Sequence, residues 1–229
     1  MRTVARGIVV GELAVMSALL LSYIWLWKDA FPGDFVVFIV LYIAVGGSSH
    51  VRRGETAHDI GFRLDNLGSA ARQAMIYVGA LVVVAVLVGA VLGTLRAPEN
   101  TRRALLLAVR LVWGTAQEYG LLAFFFLRFR EIVPGKWPPL LAAASLFALF
   151  HLPNPFLTVV TLGAGALSCW LYRRIPNLWA LGIAHGVLSA VLSRSFPAEV
   201  TAGMRVGPEY WIFLEVLNEQ KALSALLFR

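Results

Sequence analysis

The sequence predicts an all-α integral membrane protein: a bundle of about seven transmembrane helices plus a C-terminal amphipathic or eighth helix. Of the 229 residues, 59% are hydrophobic and only 14% are charged, and the mean hydropathy is +0.75. A soluble domain of this length contains far more charged residues. Long apolar runs recur along the chain between charges, prolines and glycines. We therefore expect a single membrane-embedded domain over residues 1–229.

The lengths of the apolar runs predict the spans, because about 20 helical residues cross a hydrocarbon core of about 30 Å. The runs cover residues 7–27, 35–47, 74–95, 104–127, 137–152, 155–172 and 177–193. The C-terminal stretch places Glu215, Asn218 and Glu219 on one helical face, which favours an interfacial helix. His50 and His58 fall in a polar linker between the second and third spans, where they are expected to be surface residues.

The basic residues predict the orientation of these spans. With the N-terminus in the cytoplasm, the cytoplasmic segments hold 11 Lys and Arg and the opposite side holds 7. The net charge is +7, and the basic residues lie in short clusters between apolar runs. This distribution is typical of topology signals and argues against nucleic-acid binding. The single cysteine, Cys169, excludes an intramolecular disulfide and a cysteine-based metal cluster.

Three ionisable residues interrupt apolar segments in the second half of the chain. Glu118 lies in T-A-Q-E-Y-G-L-L-A, His151 in L-F-H-L-P-N-P and His185 in A-H-G-V-L-S. A charge at the bilayer centre costs ~2.5–3.5 kcal/mol, so such residues usually face the bundle interior and mark a site. We expect the three side chains to meet around one polar cavity.

The helix that leads to His151 is short. The run 137–152, followed by Pro153 and Pro155, would span ~24 Å as a helix, less than a bilayer core. Broken backbone at that depth survives only if it is buried in protein or lines a wet cavity. The sequence therefore predicts His151 and Asn154 at the mouth of such a cavity.

The spacing of these residues resembles that of the CPBP family of intramembrane proteases, which includes the type 2 CAAX prenyl endopeptidases. The resemblance rests on F-x-x-x-H from Phe147 to His151, H-x-x-x-S from His185 to Ser189, and a glutamate on an upstream span. It covers roughly residues 100–193, which we take as the protease core.

The sequence also departs from that family. Gln117 stands where the family has the first of two glutamates, Leu122 stands where it has an arginine, and the next arginine is Arg128. Ser189 replaces the usual asparagine or aspartate of the last motif. These departures weaken the expectation of a prenylated CAAX substrate. They favour a protein of the bacterial inner membrane from a divergent branch of the family, such as the myxosortases. Side chains expected to support the cavity are those of Gln117, Phe147, Asn154 and Arg128.

The resemblance implies a cofactor-free peptide hydrolysis. Glu118 would be the general base for water, His185 with Ser189 would stabilise the oxyanion, and His151 would orient the water or assist Glu118; the two histidines are interchangeable at this stage. The implied partners are membrane lipids and a membrane-anchored or lipidated protein substrate, with no nucleic acid. The oligomeric state is left open.

Three alternatives remain. Glu118, His151 and His185 are also a plausible zinc set, but a separate base would then be missing and no H-E-x-x-H supplies one, so the metal-free mechanism is favoured. A catalytically inactive relative acting as a membrane scaffold or immunity protein would share the fold. A small transporter is disfavoured by the short length and the absence of an inverted repeat.

Overall fold

The computed structural model describes residues 3–96 and 102–227, and within these residues every regular element is helical. Residues 100 and 101, where the predicted protease core begins, lie outside the described residues. The helices are α1 (Arg6–Ser22), α2 (Asp34–Arg53), α3 (Leu67–Val91), α4 (Arg102–Glu118), α5 (Leu127–Ile132), α6 (Pro138–Leu149), α7 (Pro155–Arg174), α8 (Leu178–Ser195), α9 (Ala198–Thr201) and α10 (Pro208–Leu227). Two π-helical segments, Tyr23–Trp27 and Tyr119–Phe126, continue α1 and α4, and a 3₁₀ turn, Ala202–Met204, follows α9.

Five helices in the described part of the chain are long and apolar enough to cross a membrane. They are Arg6–Trp27, Asp34–Arg53, Leu67–Val91, Pro155–Arg174 and Leu178–Ser195. The predicted total of seven is not reached by this measure, because two of the expected spans are interrupted or short. The span 104–127 is divided between α4, the second π segment and α5, and α6 has only 12 residues. The fold class, an all-α integral membrane protein, agrees with the prediction.

Helix α2 extends beyond its predicted end at residue 47 as far as Arg53. It stops at Gly54, whose φ of 67° lies in the left-handed region that favours glycine at a helix C-terminus. His50 therefore belongs to a helix, and it is buried, not a surface residue as expected from the sequence. The Glu55 carboxylate accepts a hydrogen bond from His50 Nδ1 at 2.6 Å, and this polar partner makes the burial tolerable. His58 is exposed, as predicted.

The backbone is broken between α6 and α7, as the prolines predict, although α6 ends before the expected boundary at residue 152. The C-terminal segment satisfies the polar groups of this break. The Asn154 side-chain amide donates to the carbonyls of Thr201 and Arg205, both at 2.9 Å, and the Gly207 amide donates to the Leu152 carbonyl at 2.9 Å. Polar groups of the irregular backbone are thus hydrogen-bonded within the protein, which makes the break tolerable at membrane depth.

Helices α4 and α8 approach closely through glycines. A Cβ on Gly182 would lie 2.5 Å from Thr115 Cα, and one on Gly186 would lie 2.8 Å from the Arg110 carbonyl oxygen. A Cβ on Gly114 would lie 2.7 Å from the carbonyl oxygen of Gly182. Small residues at these crossings let two membrane helices pack backbone against backbone. This contact sets the distance between the side chains that α4 and α8 direct at each other.

The C-terminal stretch forms helix α10, as predicted. Its anticipated polar face is exposed, and includes Glu215, Asn218 and Glu219. An ion pair between Lys28 Nζ and Glu209 Oε1, 2.6 Å apart, ties the start of α10 to the end of the first span. Helix α10 is not among the helices apolar enough to span, so its interfacial position stays a prediction.

Candidate active site

Glu118 is the last residue of α4, where the α-helix gives way to the π segment Tyr119–Phe126. Short π segments are rare and occur frequently at functional sites. The Tyr42 hydroxyl of α2 donates to the Ala116 carbonyl at 2.9 Å, which supports the backbone where the helix type changes. Glu118 itself is only 2% exposed.

The partners of Glu118 lie on two other helices. Its Oε1 accepts hydrogen bonds from His185 Nδ1 at 2.9 Å and from Ser168 Oγ at 3.2 Å. Its Oε2 is buried and has no hydrogen-bond partner among the described residues. A buried carboxylate oxygen without a partner calls for an explanation, and a bound water or a substrate would supply one.

His151 lies in the turn after α6, held by Phe147. Its Nδ1 is 2.7 Å from the Phe147 carbonyl oxygen, and because a carbonyl only accepts, Nδ1 carries the hydrogen. The neutral ring then offers Nε2 as an acceptor. The Phe147 ring also packs edge-on against both imidazoles, with centroid distances of 4.8 Å to His151 and 6.2 Å to His185. Phe147 therefore fixes the orientation of the two histidines.

Glu118, His151 and His185 all line one cavity of about 1330 Å³. The structure thus brings together the three ionisable residues singled out from the sequence, one from α4, one from the turn between α6 and α7, and one from α8. Other predicted site residues on its wall are Gln117, Phe147 and Ser189. Most of the wall is apolar, and its aromatic part includes Phe35, Phe38, Tyr42, Phe62, Trp113, Phe125 and Phe150.

Ser189 contacts a residue that the sequence reading did not connect with it. Arg110 Nη1 of α4 lies 3.3 Å from both the hydroxyl and the carbonyl oxygen of Ser189. The polar partner of His185 is Glu118, so Ser189 does not orient the imidazole. Because Arg110 occupies an acceptor site of the hydroxyl, the hydroxyl hydrogen remains free to be donated.

Asn154 and Arg128 lie away from the cavity wall, which corrects their expected place beside it. Asn154 is fully buried, caps α7 by accepting from the Leu157 amide at 3.0 Å, and binds the C-terminal segment. It therefore holds the broken backbone beside His151. Arg128 is also fully buried, but α5 directs it to a group of charged side chains near the end of α2.

This group, here named the buried charge cluster, consists of Glu12, His50, Arg52, Arg53, Glu55, Arg128 and Glu131. Arg53 Nε pairs with Glu131 Oε1 at 2.8 Å, and Arg128 Nη1 pairs with the same oxygen at 2.5 Å. Arg128 also pairs with Glu55. Three arginines match three glutamates, so the cluster is neutral when His50 is neutral. Its role is to join α1, α2 and α5.

His50 connects the buried charge cluster with the cavity, a link that the sequence reading missed. Its Nδ1 is 2.6 Å from Glu55 Oε2, and its ring packs edge-on against Tyr119 at a centroid distance of 5.7 Å. His50 lies on the cavity wall, and its Nε2 is buried without a hydrogen-bond partner in the described structure. The sequence held a signal for the cluster but not for His50: Glu12 falls in an apolar span and needs a cation, which Arg53 supplies at 2.8 Å.

The described side chains include no group of three or more His, Cys, Asp or Glu residues arranged to hold a metal ion. Glu118 and His185 bond to each other directly and do not converge with His151 on a common point. In the zinc alternative these three side chains would have to rearrange to become ligands of one ion.

Together these features define an all-α membrane protein with a buried carboxylate and two histidines on the wall of one large cavity. A family model described as "Rce1-like: Type II CAAX prenyl endopeptidase Rce1-like" matches residues 98–191, a segment that contains Glu118, His151, His185 and Ser189. The match confirms the resemblance to the CPBP, or CAAX-protease-like, family, which is generally a family of membrane proteases. Comparisons with curated proteins and with solved structures gave no match.

Proposed function

We propose that this chain is an intramembrane endopeptidase that hydrolyses a peptide bond near the C-terminal membrane anchor or the lipidated tail of a membrane-associated protein. The observation that carries the proposal is the state of Glu118: one carboxylate oxygen is held by His185 and Ser168, and the other is buried without a partner in a residue that lines the cavity.

Glu118 Oε2 is the atom that takes a proton from water. The hydrogen bonds on Oε1 fix the carboxylate plane and leave Oε2 as the free acceptor. A general base must be within hydrogen-bond reach of the proton that it removes, so this role requires a water to reach Oε2 from the cavity. The resulting hydroxide attacks the carbonyl carbon of the scissile peptide bond.

His151 orients that water. Its Nδ1 hydrogen is committed to the Phe147 carbonyl, so Nε2 of the neutral ring accepts a hydrogen bond from the same or a neighbouring water. A neutral imidazole in this state cannot donate to an oxyanion through Nε2. The open choice between the two histidines is therefore made in favour of His151 as the acceptor.

His185 stabilises the oxyanion. Its Nδ1 donates to Glu118, so this role uses the imidazolium form of the ring, in which Nε2 also carries a hydrogen. Nε2–H then donates to the oxygen that becomes negative in the tetrahedral intermediate. Ser189, one helical turn further along α8, offers its hydroxyl hydrogen as a second donor.

Collapse of the tetrahedral intermediate breaks the C–N bond. The proton held by Glu118 moves to the leaving nitrogen, which departs as a neutral amine, and the other product is a carboxylic acid that then gives its proton to the amine or to water. Glu118 is thereby returned to its ionised form. The reaction consumes one water and one peptide bond, and it needs no cofactor.

The apolar wall of the cavity supports the choice of substrate. A soluble, polar peptide would leave these aromatic side chains in contact with water, whereas a segment with an apolar anchor or a lipid tail would cover them. The purified chain, reconstituted in liposomes, should cleave internally quenched peptides that carry a C-terminal apolar anchor or lipid, with products identified by mass spectrometry. A folded protein that cleaves no anchored or lipidated peptide in such a panel would favour the inactive-scaffold alternative.

A further inference from the structure

Arg110 is a charged residue of the cavity wall that the proposed hydrolysis does not use. It lies on α4 eight residues before Glu118, which corresponds to about 12 Å along the helix axis. Its Nη1 contacts the two oxygens of Ser189 at 3.3 Å. A guanidinium has five N–H donors, so most of its hydrogen-bonding capacity remains for another partner.

The positive charge of Arg110 has no counter-charge in the described part of the protein. No carboxylate among the described residues forms an ion pair with Arg110. Its charged neighbour is a second arginine, Arg194 of α8, which repels it. Ionised residues in apolar segments are costly and normally pair with an opposite charge. An anion supplied by the occupant of the cavity would provide that charge.

The wall next to Arg110 determines what kind of anion fits. Trp113 is one helical turn away on the same face of α4 and lines the same cavity. Beyond it the wall continues with Phe35, Phe38 and Tyr42. A small hydrophilic anion would leave this apolar surface uncovered, whereas an amphiphile would match both the charge and the wall.

We propose that Arg110 binds the anionic head group of an amphiphile whose apolar chain lies along the aromatic wall of the cavity. The head group is a carboxylate or a phosphate, both of which accept hydrogen bonds from a guanidinium in a forked geometry. A fatty acid and an anionic phospholipid share this chemistry. The inference does not depend on hydrolysis, since no atom of Glu118 takes part in it.

The test uses Trp113 as a reporter. The chain in phosphatidylcholine nanodiscs is titrated with dibromostearate, which quenches nearby tryptophan fluorescence. We expect saturable quenching that oleate reverses and oleyl alcohol, which has the same chain length without the charge, does not. W113F should lose the component that oleate reverses. Equal competition by oleate and oleyl alcohol would overturn the proposal.

Variants locate the anion site. R110Q should weaken dibromostearate binding about tenfold or more, as expected for the loss of a charge-assisted hydrogen bond, while R110K should retain most of it. The matched control is R72Q, because Arg72 is an exposed residue of α3 away from the cavity wall. Binding by folded R110Q that equals the wild type would overturn the proposal. If R110Q fails to fold, R110K and the comparison of oleate with oleyl alcohol still decide it.

A further arm distinguishes the two sources of the anion. Nanodiscs that contain phosphatidylglycerol should compete with dibromostearate if the natural occupant is a phospholipid, and should leave its binding unchanged if it is a single-chain carboxylate. Either result retains the dependence on Arg110. No arm measures proteolysis, so failure here would leave the proposed endopeptidase activity standing.

Discussion

Glu118 and His185 are joined by a hydrogen bond of 2.9 Å between Oε1 and Nδ1, across the crossing of α4 and α8. The bond forms where glycines bring the two backbones together, with Gly182 of α8 against Thr115 of α4. The site therefore depends on a close helix contact that glycines make possible. Changes to that contact should be felt at the carboxylate.

Gly182→Ala tests this dependence. The added Cβ would lie 2.5 Å from Thr115 Cα, a backbone atom that can move only if the helices separate. We expect a loss of about 1–3 kcal/mol in stability, typical of overpacking, together with reduced activity. Stability is measured by unfolding in a mixed-micelle denaturant titration.

The control for this change is Gly163→Ala on α7, where an added Cβ would meet nothing within 4 Å. It should leave stability unchanged or raise it by up to about 1 kcal/mol, because alanine is a better helix former than glycine. Equal stability of the Gly182 and Gly163 variants would show that the α4–α8 approach is not constrained by glycine.

The pKa of Glu55 predicts how the stability that the buried charge cluster contributes changes at acid pH. Burial raises the pKa of its carboxyl, but hydrogen bonds from His50 and Arg128 lower that pKa by more, so the folded value lies below the ordinary 4.5. A depressed pKa gives stability that is present above the ordinary value and is lost as pH falls through the folded value. Wild type should exceed Glu55→Gln in stability at neutral pH.

The stability difference between wild type and Glu55→Gln should shrink as the pH drops below 4.5, because the glutamine has no proton to bind. It is followed by thermal unfolding over a pH series. The matched comparison is Glu215→Gln, because Glu215 is exposed and is in none of the ion pairs found among the described residues. A wild-type advantage that stays constant into acid would contradict the assigned role of Glu55.

Much of the site could be predicted from the sequence because its signals are local. Glu118, His151 and His185 are conspicuous as ionisable residues in apolar runs, and their cost in a membrane requires that they face inward. Pro153 and Pro155 predict the break in the helix next to His151 just as directly. The structure adds what the one-dimensional pattern lacks, namely that Glu118 contacts His185 directly and that His151 is committed to the Phe147 carbonyl.

The parts that could not be predicted involve pairing between distant segments. The sequence places His50 in a polar linker because Arg128, the arginine that pairs with its partner Glu55, is 73 residues away from Glu55. For the same reason the sequence places Arg128 at the cavity. The contact between Arg110 and Ser189 also joins distant segments, 79 residues apart. Hydrophobic periodicity does not encode such contacts. The change from α-helical to π-helical geometry after Glu118 likewise follows from packing between helices, and the spacing of residues in the sequence does not predict it.

Metal dependence separates the favoured mechanism from its zinc alternative. We expect activity to be unaffected by strong chelators, because Glu118 activates water itself and His185 holds the oxyanion. Activity is measured after dialysis against chelator, with and without added zinc, and metal content by elemental analysis. Stoichiometric zinc that restores activity, and that is lost in His151→Asn, would reassign Glu118, His151 and His185 as ligands.

The central claim is that Glu118 acts as the base, and the most direct measurement is kcat/KM for cleavage of an anchored peptide by Glu118→Gln. Glutamine keeps the size of the side chain and an oxygen for His185, but it cannot take a proton. We predict a fall of about 10²- to 10⁴-fold with unchanged thermal unfolding. Ser168→Ala, which removes one hydrogen bond to Oε1 and leaves the base in place, should lose about tenfold or less. Cleavage by folded Glu118→Gln at the wild-type rate would contradict the account.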